Sequence, residues 1–256
     1  MNFAASQGGI SPSFERAMRL LLTRPRDDAE PLAHSLKLRG HEPIIAPLME
    51  IRFVPGPEIP LTGIQGLIAT SANGIRALAA RSKIRNLTVF AVGPQTAETA
   101  GLTGFTEVVC ANGDSAALAA TIIERANPAN GPLLHAAGTD TAGRLSESLR
   151  QHGFRVETIV LYEAVSVERL PHEAGERLRQ DTLDGVLLFS PRSAAIFVAL
   201  TAKAGLSAQC ERLTAFCISA ATAKALSPLC FGRLAIAASS NQQSMLDLVG
   251  DSEASA

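Results

Sequence analysis

The chain carries one pattern of strand and helix written twice, and this duplication limits the possible folds more than any other feature. The stretch 183–200 is a short apolar run that passes through a turn into an apolar, helix-forming segment. The stretch 65–78 repeats it, with Ser190 following Ser71 by 119 residues. Three further units recur in matching order, so the sequence predicts an α/β fold with parallel sheets and an internal duplication.

The turn at Ser190 indicates where such a unit would bind a ligand. Ser190 stands at the N-cap position and Pro191 at the first helical position. A parallel strand that feeds a helix leaves unpaired N–H groups at the sheet's carboxyl edge, where anions are favoured. Hydroxyl groups recur at the matching turns, at Thr23, Thr70, Ser71, Thr96, Thr139, Ser190, Ser219 and Thr222. Helix capping explains each of them singly, whereas together they would line an anion-binding edge.

Composition narrows the possible partners and chemistry. The chain has 23 basic and 24 acidic residues, which argues against a nucleic-acid or membrane-surface partner. It shows no signal peptide and no apolar run long enough to span a bilayer. Four cysteines without a CxxC pair favour reduced, mostly buried thiols in a cytosolic protein and argue against a metal site. The five histidines are scattered, and each is predicted to be a surface residue or an internally hydrogen-bonded one.

The motifs of several common enzyme classes are absent. The chain has no GxSxG, no HExxH and no GxGxxG after a strand. The turn from Gly138 to Gly143 resembles a phosphate loop, but Arg144 and Leu145 replace its Lys-Ser/Thr pair. A nucleotide- or sugar-phosphate-binding enzyme is therefore the weaker of the α/β alternatives.

Two extended stretches interrupt the strand–helix alternation. The first, 49–53, runs into a proline-rich segment, and the second, 156–167, holds the only tyrosine, Tyr162. Each follows the same unit in its copy of the repeat, so both are predicted to be connectors. Residues 1–17 are predicted to be a disordered tail or an artefact of start-codon choice. The repeat alone suggests a division of the chain near Gly131.

A set of short motifs carries a family resemblance. They are, in chain order, Thr23-Arg24-Pro25, Thr70-Ser71-Ala72-Asn73, Val92-Gly93-x-x-Thr96-Ala97, Leu161-Tyr162, Phe189-Ser190-Pro191-Arg192-Ser193-Ala194 and Thr222-Ala223-x-Ala225-Leu226. Together, from about Met18 to Gly250, they resemble uroporphyrinogen-III synthase. The resemblance implies two flavodoxin/Rossmann-like parallel-sheet domains joined by a two-stranded extended connector. The implied bounds are 18–48 plus 168–250 for domain one, 54–160 for domain two, and 49–53 and 161–167 for the connecting strands.

The function implied by the resemblance is that of a cofactor-free lyase. Such an enzyme, a cytoplasmic monomer, cyclises hydroxymethylbilane to uroporphyrinogen III with loss of water and inversion of the last pyrrole ring, in the biosynthesis of haem-type pigments. The linear tetrapyrrole substrate carries eight carboxylates, which suits anion-binding turns that face each other across an interdomain cleft. The alternative from another class is a non-catalytic anion- or tetrapyrrole-binding module on the same fold.

The resemblance also assigns roles to individual residues. Tyr162 matches the family's tyrosine on the connecting strand, and a phenol of ordinary pKa ~10 is a protonated donor that could assist the leaving hydroxyl. The implied substrate-binding residues are Thr23, Arg24, Thr70, Ser71, Asn73, Thr96, Gly138, Ser190, Arg192 and Thr222. One departure stands out, because Ser219-Ala220-Ala221 replaces the glycine expected before Thr222. Loss of this glycine predicts a backbone less able to approach a ligand closely.

Overall fold

The structure is a computed structural model that describes residues 16–140 and 143–251. Its strands are β1 (Arg19–Leu22), β2 (Glu42–Ile45), β3 (Met49–Phe53), β4 (Gly66–Ala69), β5 (Thr88–Ala91), β6 (Val108–Cys110), β7 (Leu133–Gly138), β8 (Val156–Ser166), β9 (Gly185–Leu188), β10 (Thr214–Cys217) and β11 (Arg233–Ile236). Its helices are α1 (Arg26–Leu38), α2 (Ala72–Arg81), α3 (Pro94–Leu102), α4 (Ser115–Arg125), α5 (Arg144–Gln151), α6 (His172–Arg179), α7 (Pro191–Lys203), α8 (Ala220–Lys224) and α9 (Gln242–Val249). Apart from its last two residues, the predicted tail 1–17 lies outside the described residues.

The chain divides into two compact units, and the first is discontinuous in sequence. Unit 1 comprises the described parts of Met1–Leu48 and Val167–Ala256. Its five strands are all parallel and lie in the order β2-β1-β9-β10-β11. Numbered along the unit this is 2-1-3-4-5, the flavodoxin-like order, whose topological switch point lies between β1 and β9. Ligands of such sheets bind beyond the carboxyl ends of the strands at that point.

Unit 2 is the continuous segment Met49–Ser166, and it repeats this arrangement. Its sheet has the order β3-β8-β7-β4-β5-β6, in which β3 is antiparallel to β8 and the other pairs are parallel. Without the edge strand β3, the equivalent strands stand in the same order as in unit 1. The corresponding switch point lies between β7 and β4. The predicted α/β class, with parallel sheets and two similar units, is confirmed.

The two copies of the sequence repeat exchange their first strand–helix pair. Unit 1 combines β1 and α1 from the first half of the chain with β9, β10 and β11 from the second. Unit 2 does the converse, because β7 and α5 join β4, β5 and β6. Both stretches predicted to be connectors are strands of unit 2's sheet, and the chain passes between the units at 48–49 and 166–167.

A glycine–phenylalanine pair recurs at the same place in both sheets. A methyl group on Gly185 would lie 2.8 Å from Phe216 Cε2, and one on Gly66 would lie 3.0 Å from Phe90 Cε2. Each glycine begins a central strand and leaves room for the ring of the neighbouring strand. The duplication therefore preserved not only the order of the elements but also this tight contact between adjacent strands.

Both sheets bury apolar side chains on both faces, as parallel sheets covered by helices do. In β1, Leu21 belongs to one core cluster of unit 1, whereas Leu20 and Leu22 belong to the cluster on the opposite face. Unit 2 has two corresponding clusters, which contain Leu67 on one face and Ile68 on the other. This explains why the strand sequences are continuous apolar runs rather than alternating ones.

Helix beginnings follow the sequence signals closely. Ser190 caps α7 in a reciprocal capping box with Ser193, and Pro191 is the first helical residue, as predicted. Asp114 caps α4 by accepting bonds from the N–H groups of Ala116 and Ala117. These amide donors hold the pKa of the Asp114 carboxyl below its usual value. Local capping thus fixes where the chain leaves each strand.

The cysteines correct one expectation. Cys210 and Cys217 are buried, and burial raises the pKa of each thiol to about 11. Cys110 is only half-buried and Cys230 is exposed. The prediction of mostly buried thiols therefore holds for two of the four. Cys230 lies in the segment between α8 and β11.

Candidate functional site

At the switch point of unit 1, Thr23 ties the two central strands together. It directly follows β1, is fully buried, and its Oγ1 donates a hydrogen bond of 2.8 Å to the carbonyl oxygen of Leu187 in β9. The Thr23 hydroxyl therefore already uses its proton in a hydrogen bond within the fold. Its backbone carbonyl also accepts from the N–H of Leu48, which holds the end of the β2 segment against β1.

Arg24, the next residue, is held at the sheet edge by contacts within unit 1. Its guanidinium carbon lies 4.4 Å from the centre of the Phe189 ring, and Nη1 donates to Gln242 Oε1 at 3.0 Å. Nη2 lies 3.8 Å from Oδ2 of the buried Asp28. Because one carboxylate is already close, Arg24 is a positioned charge rather than an exposed one.

Ser190 and Arg192 stand at the start of α7, on the other side of this switch point. Ser190 is half-buried, and its Oγ accepts from the Ser193 N–H at 3.0 Å while Ser193 Oγ accepts from the Ser190 N–H at 3.2 Å. Arg192 is exposed in the first turn. The helix start is thus fully organised before any ligand arrives, with a cation beside it.

The turn before Thr222 has a serine at the position where the resemblance predicts a glycine. Ser219 has φ −158° and ψ 163°, an extended conformation that any residue adopts, so its backbone is unstrained. What the serine changes is hydrogen bonding, because its Oγ lies 3.0 Å from Thr222 Oγ1 and accepts from the Thr222 N–H at 3.3 Å. Thr222 is fully buried. Its hydroxyl therefore has an internal partner.

The equivalent turn of unit 2 lacks that partner. Thr96 is buried in the first turn of α3, whose N-cap is Gly93 with φ −157° and ψ 175°. A methyl group on Gly93 would meet nothing within 4 Å. Since Gly93 has no side chain, this helix start offers its amide groups without the hydroxyl that Ser219 supplies in unit 1.

Thr70 and Ser71 follow β4 at the switch point of unit 2. Both are half-buried, and Ser71 caps α2 by accepting from the Asn73 N–H at 3.2 Å. The buried Asn73 uses its Oδ1 to accept from Arg76 Nη1 at 2.8 Å. Thr70 Oγ1 lies 3.1 Å from Nε2 of His135 in β7. Thus Thr70, like Thr23, links the two strands that flank its switch point.

Tyr162 covers Gly138 at the same edge. The two residues are paired across β7 and β8, where a bulge shifts the register, and Thr139 N–H donates to the Tyr162 carbonyl oxygen at 3.1 Å. A methyl group on Gly138 would lie 2.7 Å from Tyr162 Cζ and 3.0 Å from its Oη. Only glycine leaves room for the phenol in this position. The half-buried phenol therefore lies over the last residue of β7, at the carboxyl end of that strand.

The structure gathers the predicted site residues into two groups, one at each switch point. Unit 1 holds Thr23, Arg24, Ser190, Arg192 and, one helix further along the sheet, Thr222. Unit 2 holds Thr70, Ser71, Asn73, Gly138, Tyr162 and, one helix further along, Thr96. One residue at this edge, His135, was not predicted from the sequence. Its signal was a single polar residue inside an otherwise apolar buried strand.

The described residues form neither a metal site nor a helix that could span a membrane. Within 16–140 and 143–251, no group of three or more His, Cys, Asp or Glu side chains is arranged to hold a metal ion. In the same part of the chain, every helix falls short of the length and apolar character that crossing a bilayer requires.

Comparisons with known proteins agree with this architecture. The family model described as Uroporphyrinogen-III synthase HemD matches residues 30–247, most of the chain. A protein of Methanocaldococcus jannaschii that carries the provisional name uroporphyrinogen-III synthase is 31% identical over 88 residues, which are 32% of this chain and 37% of that relative. The crystal structure of uroporphyrinogen-III synthetase from Helicobacter pylori 26695 is 18% identical, with 91% of this chain and 98% of that chain covered and a TM-score of 0.58. That structure shares the fold.

Proposed function

Because the chain belongs to the uroporphyrinogen-III synthase family, a family of tetrapyrrole biosynthesis, we propose that it is the synthase itself. In this proposal it converts hydroxymethylbilane, a linear tetrapyrrole, into uroporphyrinogen III with loss of water and inversion of ring D. It acts as a lyase without a cofactor, as a monomer in the cytoplasm. The observation that carries the proposal is the placement of Tyr162 over Gly138, beside the switch point of unit 2.

Substrate binding rests on the helix beginnings at the two sheet edges. The substrate carries eight carboxylates, and α2, α3 and α7 each begin at a carboxyl edge, where the first N–H groups of a helix have no partner within the helix itself. One such contact is worth ~0.3–1 kcal/mol when exposed and up to ~2 kcal/mol when partly buried. Several of them, with Arg24 and Arg192 beside the switch point of unit 1, supply enough attraction without a large basic patch. This agrees with the nearly balanced charge of the chain.

In the reaction, the hydroxyl group leaves ring A as water once it has received a proton. The carbon left behind is a cation stabilised by the pyrrole nitrogen, and ring D attacks it through the α carbon that already carries the bridge to ring C. The bond from that α carbon to the bridge then breaks and re-forms at the free α carbon of ring D, which loses its proton, so the ring is inverted as the macrocycle closes. We assign Tyr162 to donating a hydrogen bond to the departing hydroxyl. The protein's other task is to hold the flexible chain in a folded shape, because correct orientation of the reacting ends lowers the entropic part of the barrier.

The test of this function is the product isomer. The protein is incubated with freshly generated hydroxymethylbilane, and the products are oxidised and separated by chromatography. Uncatalysed closure gives the uninverted isomer I, so a dominant isomer III is the expected result. If folded protein yields only isomer I, the proposed activity is wrong and a non-catalytic tetrapyrrole-binding module becomes the better explanation.

Tyr162→Phe tests the proposed role of the hydroxyl. Removing a positioned donor should lower the turnover number about tenfold or more, while the free energy of unfolding stays nearly constant because the ring still covers Gly138. Steady-state kinetics and urea unfolding measure the two quantities. Wild-type turnover in this variant would show that the phenol oxygen takes no part.

A further inference from the structure

His135 occupies a place where the fold itself needs no polar group. It is the third residue of β7, all of whose residues are buried, and it is only 1% exposed. It pairs with Ile68 of β4, just as Leu22 pairs with Leu187 in unit 1. At this equivalent position unit 1 carries a fully buried leucine. An imidazole here is therefore expensive to bury and calls for a reason other than packing.

The hydrogen bonding of the ring is one-sided. His135 Nε2 lies 3.1 Å from Thr70 Oγ1, whereas Nδ1 is buried without a partner in the described part of the chain. Desolvation lowers the pKa of His135 to about 4, so the ring is neutral near pH 7. A neutral imidazole carries one N–H, and the two tautomers give Thr70 opposite roles.

In one tautomer Nε2 carries no proton and accepts a hydrogen bond from the Thr70 hydroxyl. Thr70 then turns its lone pairs toward the sheet edge, where they repel a carboxylate, and the ring keeps a buried Nδ1–H without an acceptor. In the other tautomer Nε2–H donates to Thr70 Oγ1. The threonine proton is then free to point outward, toward the edge at which the helices begin.

We propose that His135 is a positioning residue that holds Thr70 as a hydrogen-bond donor for a carboxylate of the substrate. The half-buried Thr70 lies at the switch point beside Ser71, so its outward proton adds to the amide donors at the start of α2. This role rests on the proposed function, since it is the polycarboxylate substrate that requires donors at this edge. His135 itself is too deeply buried to touch that ligand.

The tautomer can be observed directly, without substrate. Nitrogen-15 NMR of the histidine-labelled protein at pH 7 distinguishes a protonated Nε2 from a protonated Nδ1, and His135→Gln identifies the resonance by its disappearance. We expect Nε2–H. Finding the proton on Nδ1 would overturn the proposal, whatever the protein's activity proves to be. The result is therefore independent of whether isomer III is formed.

A double-mutant cycle tests the coupling to Thr70. His135→Phe should raise KM for hydroxymethylbilane roughly three- to tenfold with kcat within about twofold, because the hydroxyl is no longer held as a donor. In a Thr70→Val background the same change should have almost no further effect. An equal KM increase in both backgrounds would mean that His135 acts structurally and would refute the proposal.

The conservative variant His135→Gln should restore part of the lost substrate affinity. His135→Gln keeps an N–H donor within reach of Thr70, so its KM should lie closer to that of the wild type than to that of the phenylalanine variant. A glutamine variant that is folded, as judged by circular dichroism, and as impaired as the phenylalanine variant would also refute the proposal. If the wild type forms only isomer I, the proposed function fails, whereas the inference about His135 still stands or falls by its tautomer.

Discussion

The edges of the two sheets use their polar groups differently, although the strands stand in the same order. In unit 1, Thr23 bonds to Leu187, and the hydroxyls of Ser190 and Thr222 have serine partners. In unit 2, Thr70 contacts a neutral imidazole, the N-cap residue of α3 is a glycine, and a phenol covers Gly138.

The difference shows how the two copies diverged after duplication. Unit 1 satisfies its hydroxyls internally, which favours a rigid support that presents cations such as Arg24. Unit 2 keeps donors and an aromatic hydroxyl beside its switch point, at the price of a buried histidine. We therefore expect chemistry to depend chiefly on unit 2 and stability to depend more on the capped contacts of unit 1.

The largest expected contrast concerns acid stability. Because the pKa of His135 falls from 6.5 to about 4 on burial, the unfolded chain binds a proton that the folded one does not between these values. The free energy of unfolding should fall by up to about 3 kcal/mol as the pH drops from 6.5 to 4. His135→Leu, which copies Leu22, should remove this part of the pH dependence. Urea unfolding across this range checks it, and an unchanged slope would contradict the assignment.

A matched control accompanies that experiment. His152 is exposed at the end of α5, so His152→Leu removes a histidine without touching the core. A similar change of slope in both variants would show that burial of His135 is not the cause.

The next contrast compares the two strand glycines. In Gly185→Ala the new methyl group would lie 2.9 Å from the Thr214 carbonyl oxygen, whereas in Gly66→Ala the distance to the Thr88 carbonyl oxygen would be 3.2 Å. Overpacking of this kind costs about 1–3 kcal/mol, so we expect the loss near the upper end for Gly185 and near the lower end for Gly66. Urea midpoints measure both. A greater loss at Gly66 would show that unit 2 is packed more tightly than unit 1.

A smaller effect is expected on activity when Gly138 is replaced. Gly138→Ala pushes a methyl group against the Tyr162 ring and should lower turnover about tenfold, equivalent to about 1.4 kcal/mol. Gly143→Ala is the control, because a methyl group there would meet nothing within 4 Å. Equal turnover in the two variants would separate Tyr162 from the chemistry.

The smallest contrast compares two helix caps. Ser190→Ala removes the two bonds of Ser190 Oγ, to the N–H and the hydroxyl of Ser193, whereas Ser71→Ala removes one bond from the Asn73 N–H. We expect a loss of about 1–2 kcal/mol for Ser190 and about 0.5–1 kcal/mol for Ser71. Thermal unfolding of both variants measures it. If Ser71 proves the costlier residue, the view of unit 1 as the more strongly capped copy is wrong.

Much of the local structure could be predicted from the sequence. Ser190 and Pro191 marked the start of α7 because capping and proline act within one turn of the chain. The candidate site residues lie mostly in turns that follow strands, a location that the strand–turn–helix pattern was enough to predict. Helix α6 was not predicted, because its sequence HEAGERLR is mostly polar and buries only a narrow apolar stripe through Ala174 and Leu178.

Which copy of the first strand each sheet contains could not be predicted from the repeat. The repeats share the contact of Gly66 with Phe90 and of Gly185 with Phe216, so this contact does not distinguish one copy from the other. A repeat cannot reveal which copy each sheet receives. The hydrogen bonds of His135 and Ser219 were also out of reach, because they depend on neighbours 65 residues away in one case and on a hydroxyl rotation in the other.

The exchange of strands also determines when, during synthesis of the chain, the sheet of unit 1 can be completed. Strand β1 lies between β2 and β9, yet β9 begins 140 residues after β2 ends. At ~5–20 residues per second, the ribosome needs roughly 7–28 s to deliver it. Throughout that interval Leu20, Leu21 and Leu22 have one open strand edge, while all of unit 2 emerges and can fold. The nascent chain must therefore keep an unfinished sheet from pairing with a neighbour, so a chaperone requirement should concentrate on its first fifty residues.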